Sequence, residues 1–295
     1  SMNRAGVVVL ILTLGGMAGG DDLPTFRGAA GRTGGTSETV PPRSSGAVLS
    51  LRWTTSVASH AQIGSPIVGG GRVYVNSKSG TVMCLHPDDG TVLWTFATNA
   101  PLVSTPAYFE GALYVTGTDG YIYVLHGQTG AQVLSPILHG TAMASSPLIV
   151  PDVSIGGVAT VVLYVSMGGP ATGMRAYNAK TGTLLWTTTE GFRTTSWSSP
   201  SYHSAWNRLI VGDNAGYWHC YDGSTGAKLW EYRAGYTLFY CSAACYGDDV
   251  ALPGAGENRG SGAEKQRENH ECFEGSRHVG HSTTGRARVQ RSAAR

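Results

Sequence analysis

Two short markers recur in step through the middle of this chain, and no other feature constrains its fold as tightly. The first is a hydroxyl residue followed by proline: Ser65-Pro66, Thr105-Pro106, Ser146-Pro147 and Ser199-Pro200, spaced 40, 41 and 53 residues apart. The second is a glycine turn leading into an apolar run: HPDDGTVLW (86–94), GQTGAQVL (127–134), NAKTGTLLW (178–186) and DGSTGAKLW (222–230). Its glycines, Gly90, Gly130, Gly182 and Gly226, are spaced 40, 52 and 44. Two markers in fixed order at one shared period define a repeated supersecondary unit.

Between the markers the pattern is constant. A turn such as Gly69-Gly70-Gly71 or Glu110-Gly111 precedes an alternating strand (Arg72 to Val75, Ala112 to Val115, Val162 to Val165, Arg208 to Val211). Another glycine turn follows (Gly80, Gly120, Gly173, Gly216), then a third strand, the marker turn and a fourth strand. Four short strands per period joined by tight turns make one propeller blade. Extra length in the third unit falls in 151–160, read as a loop insertion. The marker glycines supply the positive φ that tight hairpins need. Trp53, Trp94, Trp186 and Trp230 fall at one outer-strand position, where an indole can lie flat between blades, and Leu134 replaces Trp once.

Composition agrees. There are 42 glycines, roughly twice the usual share, and 14% charged residues, where about 25% is ordinary. That excludes a helical bundle, and no three-residue glycine period suggests collagen. A net charge of +2 gives no reason to expect a nucleic-acid partner.

The segment 176–186, Ala-Tyr-Asn-Ala-Lys-Thr-Gly-Thr-Leu-Leu-Trp, resembles the tryptophan-docking repeat of the quinoprotein, or PQQ-like, β-propellers. Cys220 to Trp230 is similar, and Phe26-Arg27-Gly28 with Arg32-Thr33-Gly34 resembles the lead-in found before such propellers. No Gly-His opens a unit and no Trp-Asp closes one, so the pattern differs from WD40. The resemblance, over about 24–250, implies an all-β propeller, here with four blades and the start of a fifth. It also implies two function classes. One comprises dehydrogenases that hold pyrroloquinoline quinone (PQQ) and calcium on the propeller axis. The other comprises cofactor-free scaffolds such as the BamB-type assembly factors. The chain is too short for eight blades of about 42 residues. It has no adjacent cysteine pair, and its acidic residues lie mostly in turns (Asp88, Asp89, Asp119, Asp222). The expectation is therefore a binding or scaffold module for a protein or cell-envelope component, with no cofactor; a quinoprotein dehydrogenase using PQQ and calcium, or a fragment of one, is the alternative.

The two ends differ from the repeat. Residues 1–20 have a tag residue before Met2, a basic Arg4, an apolar run from Val7 to Leu14 and small residues around Ala18. This is the layout of an export signal, too short to span a bilayer, and it places the protein in the periplasm or outside the cell. Residues 21–46 form the lead-in and 47–250 the propeller. In 254–295, 13 of 42 residues are charged and Phe273 is the one aromatic, so 251–295 is expected to be a basic, largely disordered tail. Its start inside a blade is also the pattern left by a change of reading frame or a retained intron. His270, Cys272, His278 and His281 fit no strong zinc spacing. Cys84 and Cys220 read as buried small hydrophobes, while Cys241 and Cys245 can bridge. Open blade edges offer a route to homo-oligomers.

Propeller ligands enter an axial funnel reached by the loops leading into the inner strands. Those loops carry His60, Gln62, Asn99, His139, Met143, Arg193, Trp197 and Tyr240. Arg193 with Trp197 is the most suggestive pair, because a guanidinium beside an indole can hold an anionic or planar ligand. No catalytic triad, phosphate loop or paired carboxylates follow from spacing.

Overall fold

The computed structural model describes residues 7–14, 30, 49–57, 64–169, 171–234, 242–246, 249–253, 277–281 and 286–291. Blade 1 comprises Ile67–Gly69, Arg72–Asn76, Thr81–Leu85 and Val92–Ala97; blade 2 comprises Ala107–Phe109, Ala112–Thr116, Tyr121–His126 and Ile137–Leu138. Blade 3 comprises Leu148–Ile155, Val158–Met167, Gly173–Asn178 and Leu184–Thr188, and blade 4 Ser201–His203, Arg208–Gly212, Tyr217–Asp222 and Lys228–Arg233. In each sheet, strands consecutive in sequence are hydrogen-bonded antiparallel neighbours. The molecule is an all-β propeller of four-stranded blades.

A fifth sheet begins with Ala244–Tyr246 and Asp249–Pro253. Its next neighbour is Arg286–Arg291 and its far strand Arg277–His281, so the last two positions are exchanged relative to the blades. Composition predicts no regular structure for this part of the tail, yet these two stretches are strands. At the other end, Leu49–Val57, which carries Trp53, pairs antiparallel with Val7–Leu14.

The second and third strands are not alternating. Val73, Tyr74, Val75 and Asn76 are all buried, as are Val82, Met83, Cys84 and Leu85. Each blade is covered on both faces by its neighbours, so its middle strands need continuous burial. The core is accordingly a series of layers between blades. Tyr74, Cys84, Leu113 and Leu125 pack between blades 1 and 2; Tyr114, Val124, Leu163 and Tyr177 between 2 and 3; Tyr164, Ala176, Leu209 and Tyr221 between 3 and 4. Trp218 is fully buried in the layer between blade 4 and the fifth sheet, whereas Trp206 stacks on His203 at 3.8 Å. Cys84, Cys220 and Cys245 are free, buried thiols; Cys245 is therefore not half of a bridge, and Cys241 lies outside the described residues.

Residues 151–160 are not a loop. They lengthen the first hairpin of blade 3, pairing Val153 with Thr160 and Ile155 with Val158 around a Gly156-Gly157 turn. The β-branched residues favour a longer ladder, and a bulge between Val150 and Val153 absorbs the odd register.

Each marker has a defined place between blades. Gly90, Gly130 and Gly226 sit at φ 72°, 73° and 74°, and a Cβ on them would lie 2.4, 2.6 and 2.6 Å from the indoles of Trp53, Trp94 and Trp186. Each indole therefore docks on the turn of the following blade, and its Nε1 donates to a turn carbonyl: Pro87 at 2.8 Å, Gly127 at 2.9 Å, Gly223 at 3.1 Å. The hydroxyls of the Ser/Thr-Pro marker also link blades. Ser65 N–H donates to Thr105 Oγ1 (2.9 Å), Thr105 N–H to Ser146 Oγ (3.0 Å) and Ser146 N–H to Ser199 Oγ (2.9 Å). In blades 2, 3 and 4 the marker hydroxyl satisfies a backbone donor of the preceding blade along the inner strands.

Candidate functional site

Backbone hydrogen bonds sort the connections into two ends. Thr98 N–H donates to Gly80 O, His139 N–H to Gly120 O, Asn214 N–H to Thr195 O and Ala234 N–H to Gly216 O. The loops entering each blade thus share one end with the turns between second and third strands. The glycine marker turns lie at the opposite end, where Gly127 N–H bonds Gly111 O and Gly223 N–H bonds Asn207 O.

At the first end, blade 4 gathers the densest set of charged side chains among the described residues. The third strand, Tyr217–Asp222, places His219 opposite Glu231 of the fourth strand, and a tight turn brings Asp213 beneath it. His219 Nε2 lies 3.1 Å from Asp213 Oδ2, and both side chains are fully buried. Its Nδ1 faces Glu231 Oε2 at 4.0 Å. Arg193, from the entering loop, grips Glu231 through Nη2 at 2.8 Å and Nη1 at 3.4 Å, and Lys228 Nζ reaches the same carboxylate at 3.3 Å. The guanidinium lies over the Tyr217 ring at 3.6 Å, a cation–π arrangement.

Backbone contacts pin the same loop. Arg193 N–H donates to Asp213 Oδ2 (3.1 Å), Asn214 Nδ2 to Thr195 Oγ1 (2.9 Å), and Tyr221 OH to Glu190 O (2.6 Å). Phe192 stacks on Tyr221 (5.8 Å, 3°) and packs against His219 (4.8 Å). Burial raises the Asp213 carboxyl, but the His219 hydrogen bond and the Tyr217 and Arg193 amides outweigh it, leaving the group below the usual carboxylate range. The Arg193 hydrogen bond, against a smaller effect of burial, lowers Glu231, with Lys228 adding to it. Chemically, the arrangement fixes loop Glu190–Thr195 and holds Arg193 in place. It does not direct His219 at a nucleophile among the described residues.

The sequence-selected residues fall differently. Arg193 reaches Tyr217 and Glu231 on the outer two strands, away from the axis, and Trp197 is half-buried in the same loop. Asn99 is exposed in the loop entering blade 2, while His139 and Met143 are buried in the loop entering blade 3. His60, Gln62 and Tyr240 lie outside the described residues. Asp213, His219 and Glu231 escape a reading by spacing. Aligning blades by column would have exposed them: the His219 column holds Met83, Tyr123 and Arg175, and the Glu231 column holds Thr95, Ser135 and Thr187. Among the described residues no three His, Cys, Asp or Glu side chains group to hold a metal.

The family profile described as outer membrane protein assembly factor BamB matches residues 43–169 and 170–239. The chain belongs to this family of PQQ-like propellers. It is 40% identical over 84 residues to the β-alanine-activating enzyme of Danio rerio, spanning 26% of this chain and 7% of that protein's length. Among solved structures it is similar to BamB from Moraxella catarrhalis (TM-score 0.53, 21% identity, 81% of this chain and 75% of that one). It is similar also to a quinohemoprotein alcohol dehydrogenase from Pseudomonas putida (TM-score 0.61, 16% identity, 78% and 42%). At these identities the structures establish the shared fold.

Proposed function

We propose that this chain is an exported propeller that binds and positions a protein partner of the cell envelope. The observation that carries the reading is the pinned loop of blade 4. Asp213, His219, Glu231, Lys228 and Arg193 engage one another and hold Glu190–Thr195 against the blade. That suits presentation of a fixed recognition surface, where prior ordering lowers the entropic cost of binding. The family's description as an outer-membrane assembly factor supports a partner in the cell envelope. Export rests on the amino-terminal pattern, and no helix among the described residues is long and apolar enough to cross a membrane.

The quinoprotein reading predicts dye reduction once PQQ, calcium and an alcohol are supplied. The scaffold reading predicts none. It predicts instead that an envelope partner cross-links to the wild-type protein and that Arg193→Ala weakens this about tenfold, with melting temperature nearly unchanged. Quinone-dependent turnover, or cross-linking indifferent to loop 190–195, would overturn the scaffold reading.

A further inference from the structure

Blade 3 and the loop entering it hold a second polar cluster. Arg175, at the column occupied by His219 in blade 4, extends from the third strand and donates through Nη1 to the His139 carbonyl. His139 is fully buried, and its Nδ1 lies 3.0 Å from the Tyr177 hydroxyl. In the neutral tautomer that carries its hydrogen on Nε2, the Tyr177 hydroxyl donates to Nδ1. Burial, reinforced by the nearby Arg175 charge, pushes the His139 pKa down to about 3, so the ring stays neutral near pH 7.

Four polar atoms here have no hydrogen-bond partner among the described residues: His139 Nε2, Thr141 Oγ1, Ser145 Oγ and Arg175 Nε. His139 and Ser145 are completely buried, and the Ser166 backbone approaches the imidazole without closing a bond of good geometry. A single buried orphan costs about 1–3 kcal/mol, so four on one loop and its facing strand favour a bound group that accepts from them. With the His139 hydrogen on Nε2, all four can donate. Arg175 adds a full positive charge and has no carboxylate within ion-pair distance among the described residues.

We infer that the loop 139–145 and Arg175 form a binding site for a small oxyanion, a carboxylate or phosphate group, held by the His139 and Arg175 N–H groups and the Thr141 and Ser145 hydroxyls. An acceptor-only ligand matches a set of donors, and a guanidinium edge with an adjacent N–H suits a planar or tetrahedral oxyanion. The site is separate from the blade 4 loop and does not depend on the scaffold reading.

The test titrates the full chain with sodium acetate and, separately, inorganic phosphate, each against sodium chloride at matched ionic strength. Two readouts are followed: melting temperature and the His139 ring-nitrogen NMR signals. The site predicts a saturable rise of about 2–4 °C with at least one oxyanion, and a shift of the His139 Nε2 signal. The responding anion identifies the group recognised. Arg175→Gln should weaken binding at least about tenfold and Thr141→Val by a smaller factor. Thr141 is partly exposed, so its variant remains informative if Arg175→Gln fails to fold. Equal responses to chloride, an unmoved His139 signal, or unchanged affinity in both variants would mean that ordered water fills the site, and would overturn the inference.

Discussion

The contact between blades 3 and 4 and that between blades 2 and 3 solve one packing problem differently. In the first, Trp186 covers the Gly226 turn, and the Gly223 carbonyl accepts two bonds, from Trp186 Nε1 at 3.1 Å and Tyr164 OH at 2.8 Å. In the second, Leu134 and Ile137 together cover Gly182, and the corresponding Ala179 carbonyl accepts Tyr114 OH at 3.1 Å, with no indole to supply another donor. Pro136 lies two residues after Leu134, and the outer strand of blade 2 shrinks to Ile137–Leu138. Docking therefore has two separable parts: apolar cover over a glycine, and an N–H for a buried carbonyl. Aliphatic side chains supply only the first.

The largest expected contrast comes from adding one methyl at each turn. In Gly226→Ala the new Cβ would lie 2.6 Å from an indole ring held from both sides, at φ 74°. The expected cost is about 3–4 kcal/mol, combining left-handed strain with overpacking. Gly182→Ala meets the flexible Ile137 side chain at 3.0 Å and should cost about 1–2 kcal/mol. Urea unfolding of both variants measures the difference, and equal costs would show that φ alone decides. Next in size, Trp186→Leu gives the contact between blades 3 and 4 the chemistry of that between blades 2 and 3. It should lose about 2–3 kcal/mol through lost ring area and an unmatched carbonyl lone pair. Leu134→Trp should yield no matching gain, because Ile137 already occupies the space over Gly182.

The same contrast explains what the sequence made legible. Gly90, Gly130, Gly182 and Gly226 recur because each blade needs the same backbone turn, so the period and the four-strand unit are visible without coordinates. The hydroxyls of Thr105, Ser146 and Ser199 are visible as markers, but their partners lie 40, 41 and 53 residues away in the neighbouring blade. Nothing local announces that pairing. The sequence marks Arg193 as a ligand-binding side chain, whereas its orientation depends on Glu231, 38 residues later, and on Tyr217. The second strands read as alternating because Arg72 and Arg208 begin two of them. Burial on both faces is a property of the assembled blades.

Smaller effects separate the inner hydroxyls from the outer docking. Ser146→Ala removes the acceptor of the buried Thr105 N–H and should cost about 1–2 kcal/mol, whereas Ser146→Thr, the residue already used at 105, should restore most of it. Hydrogen exchange at the Thr105 amide reads this directly. Unchanged protection in Ser146→Ala would show that another group serves that amide.

The smallest contrast concerns charge. Glu231 stands where blades 1 and 3 carry Thr95 and Thr187, so Glu231→Thr gives blade 4 their neutral chemistry. Arg193 and Lys228 hold its carboxyl below the ordinary range. The stabilisation is therefore present above the unfolded-state pKa, and it is lost as pH falls through the lower folded-state value. The pair is partly solvated, with Arg193 41% and Glu231 31% exposed, so screening limits its worth to about 0.5 kcal/mol. Glu231→Thr should be less stable than wild type by that amount at pH 7 and low salt. The two should converge on acidification and in about 1 M salt, where the screening length falls to about 3 Å. A difference that persists through both changes would assign the stabilisation to packing of Phe192 and the Lys228 stem around His219, not to the ion pairs that set blade 4 apart.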